Sequence, residues 1–164
     1  MFGFNPYCDH LGVPESGRSA LIQMADALVG TSNLIAIYIP EGTEDVYEAG
    51  AKRGRIVGAV RLLEMPEGSA IEDYYYDDVV DGSRRWPFGW PCQPVFAPAI
   101  SDCPPLREYV EHFFGSGSFS GYVSRFQRGP FELDAKVGQA INDDFDEFDV
   151  LRSAKAEGQR RTKG

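Results

Sequence analysis

Arg84-Arg85-Trp86-Pro87-Phe88-Gly89-Trp90-Pro91-Cys92-Gln93-Pro94-Val95-Phe96 is the stretch on which the fold of this chain turns. It holds both tryptophans, two adjacent arginines and three prolines. Proline fixes φ and biases the preceding residue toward extended geometry. Trp86, Trp90 and Gln93 each precede a proline, which argues against a helix. The expectation is an extended lid over Arg84–Pro91 followed by a strand over Gln93–Ile100. Rigid backbone with large aromatic faces suits stacking on a planar ligand, worth roughly 1–3 kcal/mol per base. A proline-rich loop that covers a core is the competing reading.

Outward from that stretch, two strands stand out. Arg55–Met65 is apolar and β-branched, with Gly58 marking a bulge or a close backbone approach and Pro66 ending it. Asn33–Pro40 is apolar on both faces, which predicts a central strand. Glu15–Val29 reads as a helix with Ser16 as cap, because Leu21, Met24, Ala25 and Leu28 recur at helical spacing and Gly30 follows. A short strand is expected near Phe2–Phe4, and a polar connection over Glu41–Gly54. Ile71–Val80, with Tyr74, Tyr75 and Tyr76 in a row, reads as a short helix or an irregular loop. Such neighbours diverge in direction, so the three tyrosines cannot all line one pocket.

Pro104-Pro105-Leu106 opens a helix to Phe114 with Asp102 as candidate cap. Phe119, Tyr122, Val123 and Phe126 mark a second helix. Asn142–Val150 is dense in acids, with Phe145 and Phe148 interleaved, and reads as a solvated acidic face whose phenylalanines dock on a core. From Arg152 the chain carries five Lys/Arg and one Glu and reads as a flexible basic tail. One domain is therefore expected over 1–150, with a tail over 151–164.

Charge limits the partners. With 16 basic and 25 acidic side chains the net charge is −9, which opposes nucleic-acid binding over the whole surface. The first fifty residues hold only Arg18 against seven acids. Lys52, Arg53, Arg55, Arg61, Arg84, Arg85, Arg107, Arg125 and Arg128 lie in the middle and leave room for a local basic face. Eight of these nine are arginines, suited to forked contacts with phosphate or carboxylate. Cys8, Cys92 and Cys103 are an odd number without a close pair, which points to a reducing cytoplasm. No apolar run approaches the roughly 20 residues of a membrane span, and the N-terminus has no secretory pattern.

No P-loop, GxSxG, HExxH or CxxC pair occurs. Cys8-Asp9-His10 is the one candidate start of a metal site, and its spacing is poor for zinc, so no metal or cofactor is expected. The 143–149 acidic run lacks the glycine and spacing of an EF-hand loop. Arg125-Phe126-Gln127-Arg128 offers forked donors and an amide, side chains that read base edges.

The order of elements resembles the PUA-like superfamily and, within it, EVE and related domains. Asn33-Leu34-Ile35-Ala36-Ile37-Tyr38 is similar to a barrel strand of those domains. Gly54-Arg55-Ile56-Val57-Gly58-Ala59-Val60 is similar to their "I-V-G" strand. Trp90–Phe96 followed by Pro104-Pro105-Leu106-Arg107 is similar to their strand and "P-L" helix. The resemblance covers about residues 33–133. It implies an α+β fold: a small mixed or antiparallel PUA-like β-barrel flanked by helices. It also implies a pocket for a base, often modified, flipped out of a strand. By position, Trp86 and Trp90 would cage the base, Tyr38 would line the floor, and Arg84, Arg85, Arg125 or Arg128 would meet phosphate.

The expected function is thus a non-enzymatic module that binds a modified nucleobase in nucleic acid, or a small planar ligand. Two alternatives stay open. One is a small nucleic-acid-processing enzyme using Asp73, Asp77, Asp78 and Asp102. The other is a protein-interaction module using residues 142–164.

Overall fold

The computed structural model describes residues 9–41, 53–96, 104–126 and 130–145. The expected strand at Phe2–Phe4, most of the polar connection before Gly54, Asp102, Arg128, Phe148 and the tail lie outside the described residues. The chain divides into two compact units, Met1–Pro104 and Pro105–Gly164.

The first unit opens with β1 (His10–Val13), a 3-10 turn over Glu15–Gly17 and α1 (Arg18–Leu28). Gly17, not Ser16, is the N-cap, and no side chain caps the helix. Leu21 and Ala25 are buried one turn apart, as the spacing predicts. Then come β2 (Ile35–Tyr38), β3 (Ile56–Leu62), a 3-10 turn over Ile71–Asp73, β4 (Val79–Val80), β5 (Ser83–Arg84) and β6 (Phe88–Phe96). Four strands form an antiparallel sheet in the order β1-β6-β3-β2, curled into a half-barrel. The α+β class and the antiparallel sheet agree with the sequence reading.

Three expectations are corrected. First, among the described residues β2 is an edge strand rather than a central one, and only Ile37 of its residues is buried. Its apolar run is short, and a two-sided apolar run does not distinguish an interior strand from an edge strand that other segments cover.

Second, Phe88–Phe96 is an interior strand, not the end of a lid. β1 pairs its first half, His10 opposite Pro91 to Val13 opposite Phe88. β3 pairs its second half, Leu62 opposite Cys92 to Ala59 opposite Phe96. Prolines normally exclude such a position because they lack an N–H. Here Pro87 precedes the strand. Pro94 lies past the residues that β1 pairs, and strand alternation turns its missing donor away from β3. Pro91 is handled by a tryptophan, described below.

Third, Arg84 belongs to a hairpin. Val79 pairs Arg84 and Val80 pairs Ser83 around Asp81-Gly82, whose φ values of 51° and 78° are both left-handed. That is the type I′ turn that an Asp-Gly dipeptide favours. The two arms continue irregularly, with the Arg85 N–H donating to the Asp78 carbonyl (2.9 Å) and the Tyr76 N–H to the Trp86 carbonyl (3.1 Å).

The core of this unit joins Leu11, Ala25, Ile37, Val60, Leu62 and Cys92, with Leu28, Val29, Ile35, Val57 and Trp90 packed against them. Of the two readings of Gly58, a bulge or a close backbone approach, the register between β2 and β3 matches the first: Ile37 faces Gly58 but Tyr38 faces Ile56, leaving Val57 extra. Cys92 is a buried thiol outside any disulfide. No helix among the described residues is long and apolar enough to cross a membrane.

The second unit holds α2 (Leu106–Phe114), α3 (Phe119–Phe126) and α4 (135–145). Val137, Ile141 and Phe145 are buried at four-residue spacing on α4, so the acidic segment docks by Phe145 as expected. The Phe119 and Tyr122 rings are nearly parallel at 6.4 Å, and the Arg107 guanidinium lies 4.7 Å over Phe119. Two phenols are tied to carboxylates: Tyr109 donates to Asp144 and Tyr122 to Asp134. Burial, then the hydrogen bond to Asp134, pushes the Tyr122 hydroxyl up to about 12. Burial and Asp144 push Tyr109 up as well.

Two outcomes follow from these contacts. A Cβ on Gly89 would meet the Tyr74 carbonyl oxygen at 2.0 Å, whereas one on Gly121 in α3 meets nothing within 4 Å. Gly89→Ala should therefore lower stability by more than about 2 kcal/mol in denaturant titration, since overpacking costs roughly 1–3 kcal/mol even where neighbours can give. Gly121→Ala should be neutral or stabilise by up to about 1 kcal/mol. The phenols set an alkaline limit. Their folded pKa values exceed the unfolded value near 10, so their contribution is complete below that pH and is lost as pH rises through the folded values. The alkaline fall in helical ellipticity should be shallower in Tyr122→Phe than in the parent; an unchanged slope would remove Tyr122 as its cause.

Candidate functional site

Strand alternation gives the sheet two faces with different chemistry. Leu11, Trp90, Cys92, Val60 and Leu62 point to the core. The intervening residues His10 and Gly12 on β1, Gly89, Pro91 and Gln93 on β6, and Arg61 on β3 occupy the opposite face. Register aligns them, with Gly12 opposite Gly89, His10 opposite Pro91 and Arg61 opposite Gln93.

At one end of that face, the paired glycines leave the backbone bare and the tyrosine segment lies on it. The ideal Cβ position of Gly12 is 2.6 Å from the Tyr76 ring. The Tyr76 hydroxyl donates to the His10 carbonyl at 2.6 Å. Tyr74 and Tyr76, two residues apart, both approach the His10 imidazole, at centroid distances of 6.0 and 4.3 Å. Tyr75 goes elsewhere and carries the Arg84 guanidinium 3.5 Å over its ring. The divergence expected of three consecutive tyrosines is what the structure shows.

His10 is 14% exposed, and its Nδ1 sits 3.0 Å from the Asp9 carboxylate. That hydrogen bond, as the largest cause, holds the Asp9 carboxyl below its ordinary value. An ionised carboxylate only accepts, so Nδ1 is the donor in this contact. His10 Nε2 is buried with no hydrogen-bond partner, and so is Arg61 Nε on the same sheet face. Leaving a buried polar atom unsatisfied costs about 1–3 kcal/mol.

The tryptophans sit differently from the expected cage. Trp86 is buried, at 9% exposure. Trp90 is half-buried against the core, and its indole N–H donates to the Leu63 carbonyl at 2.8 Å. One step beyond the Leu62–Cys92 pair, the Leu63 N–H donates to the Pro91 carbonyl at 3.0 Å. The return bond of such an antiparallel pair would come from the residue-91 N–H, which proline lacks. The neighbouring indole supplies it.

Tyr38 is half-buried at the end of the edge strand β2. Arg84 is stacked on Tyr75, and Arg85 is paired with Asp78 at 3.1 Å. Arg125, in the second unit, reaches Asp134 at 3.5 Å and lies over the Tyr122 and Phe131 rings. Arg128 and Gln127 lie outside the described residues. Of the carboxylates weighed for catalysis, Asp73 accepts the Ala70 N–H at 2.7 Å, Asp78 pairs with Arg85, and Asp73, Asp77 and Asp78 are all exposed. Among the described residues no three His, Cys, Asp or Glu side chains gather to hold a metal.

His10, Tyr74 and Tyr76 do come together, although the sequence reading places His10 in a metal-site fragment and the tyrosines in a short helix or irregular loop. Two signals connect them: Tyr74 and Tyr76 are two apart, and His10 alternates with Leu11 and Val13 on a strand. Comparison with protein-family models, curated proteins and solved structures gave no match.

If the indole replaces the proline donor, Trp90→Phe should cost about 1–2 kcal/mol, from one lost hydrogen bond and a smaller core side chain. Thermal unfolding measures it; an unchanged Tm would mean that water serves Leu63 equally well.

Proposed function

We propose that this chain is a non-enzymatic binding module for a nucleobase or similar planar ligand, taken on the sheet face opposite the core. One observation carries the reading. His10 keeps a buried, unpartnered Nε2 while the Tyr74 and Tyr76 rings flank its imidazole. A nucleobase matches that pair of features, because its π-face stacks on tyrosine and its edge carries both donors and acceptors for an unpartnered ring nitrogen. The resemblance to PUA-like and EVE domains supports the same ligand class, and a curled antiparallel sheet is compatible with it. In this reading Tyr74 and Tyr76 take the stacking role first considered for Trp86 and Trp90. The net charge of −9 confines any nucleic-acid contact to a local basic face.

The test is a fluorescence titration with adenosine, cytidine, guanosine, thymidine and their base-methylated forms. At least one should bind saturably. Tyr74→Ala should weaken it about tenfold, in line with roughly 1–3 kcal/mol per stacked ring, with little change in Tm. Trp90→Phe should retain it. Failure of every nucleoside to saturate in the low millimolar range, or full affinity in Tyr74→Ala, would sink the reading.

A further inference from the structure

We infer that Arg61 anchors a phosphoryl oxyanion on the sheet face opposite the core, with Gln93 as the neighbouring donor. The chain holds 25 acidic side chains for 16 basic ones, so an arginine has no shortage of carboxylates. The other described arginines use what surrounds them. Arg18 pairs with Glu72, Arg85 with Asp78, Arg107 with Glu111 and Arg125 with Asp134. Arg84 lies over Tyr75, and Arg53 and Arg55 also have partners. Arg61 alone among the described arginines has no ion pair, hydrogen bond or ring contact, and its Nε is buried besides.

Its position explains the isolation. Val60 and Leu62 on either side point to the core, which fixes Arg61 on the other face. There it is flanked along β3 by Ala59 and Leu63 and faces Gln93 across to β6, with Pro91 and His10 beyond. None of these is acidic. Directly opposed residues hold their Cβ atoms about 4.5–5.5 Å apart, so the Arg61 fork and the exposed Gln93 amide can reach one ligand. A guanidinium binds oxyanions through parallel N–H bonds. A carboxylate offers two oxygens, both used by that fork. A phosphoryl group offers a third, which the Gln93 amide N–H can donate to. The site supplies donors only and makes no covalent step.

This inference stands apart from the nucleobase reading, because neither His10 nor a tyrosine is needed for it. The experiment is a ¹⁵N-correlated NMR titration of the full chain with inorganic phosphate, acetate and AMP, at ionic strength held constant with chloride. The Arg61 Nε–H and Gln93 side-chain amide signals should shift saturably with inorganic phosphate in the millimolar range, and at least fivefold more weakly with acetate. Arg61→Gln should weaken phosphate at least tenfold as read at Gln93, and Arg61→Lys, which keeps the charge and loses the fork, several-fold. Arg18→Gln should behave as the parent. Signals that follow chloride as closely as phosphate, or undiminished binding in Arg61→Gln, would overturn the assignment. Phosphate binding without nucleoside binding would leave Arg61 in place and remove the base. Nucleoside binding without phosphate would do the reverse. AMP tighter than both phosphate and adenosine would place the anion on the same ligand as the base.

Discussion

The first unit depends on one substitution of donors. β6 must hold β1 on one edge and β3 on the other, and Pro91 sits where the two ladders overlap. Its missing N–H would leave the Leu63 carbonyl idle at the point where β3 leaves the sheet. The Trp90 indole, one residue earlier and on the core face, donates to that carbonyl instead. The same side chain fills the core beside Leu28 and Val29. A residue that looks from sequence like a ligand surface thus joins the ladder to the core, and proline's rigidity is retained without losing the strand.

Much of the architecture was legible in the sequence. The periodicity of Leu21, Ala25 and Leu28 located α1, the β-branched run from Ile56 located β3, and a bulge was one of the two readings that Gly58 allowed. The interior position of β6 was not, because the rule that demotes proline-containing strands considers backbone donors and not an indole in the right place. The hairpin at Asp81-Gly82 was missed for a different reason. Its arms are only two residues long and do not alternate in polarity, so the turn dipeptide was the whole signal. For the candidate site, the residue types were visible and their meeting was not. His10 and Tyr76 are 66 positions apart and are joined only by the register that puts β1 on β6.

The sheet's two faces divide the labour of the fold. The core face is apolar, and α1 packs against it. The other face carries the groups that the fold does not spend on itself, an imidazole nitrogen at β1 and a guanidinium at β3, separated by the proline-containing strand. The other described arginines all have partners of their own.

The bulges have a consequence for how such a protein can change. Val57 on β3 and Val95 on β6 are each an extra residue against the neighbouring strand. Each therefore resets the phase of its strand, so that adjacent residues such as Ile56 and Val57 are both drawn inward. Removing either valine would restore an unbroken ladder with the same flanking partners and the same faces, at the loss of the local bend and extra twist that the bulge supplies. Length at these two points thus governs how the sheet bends and not which side chains face the core.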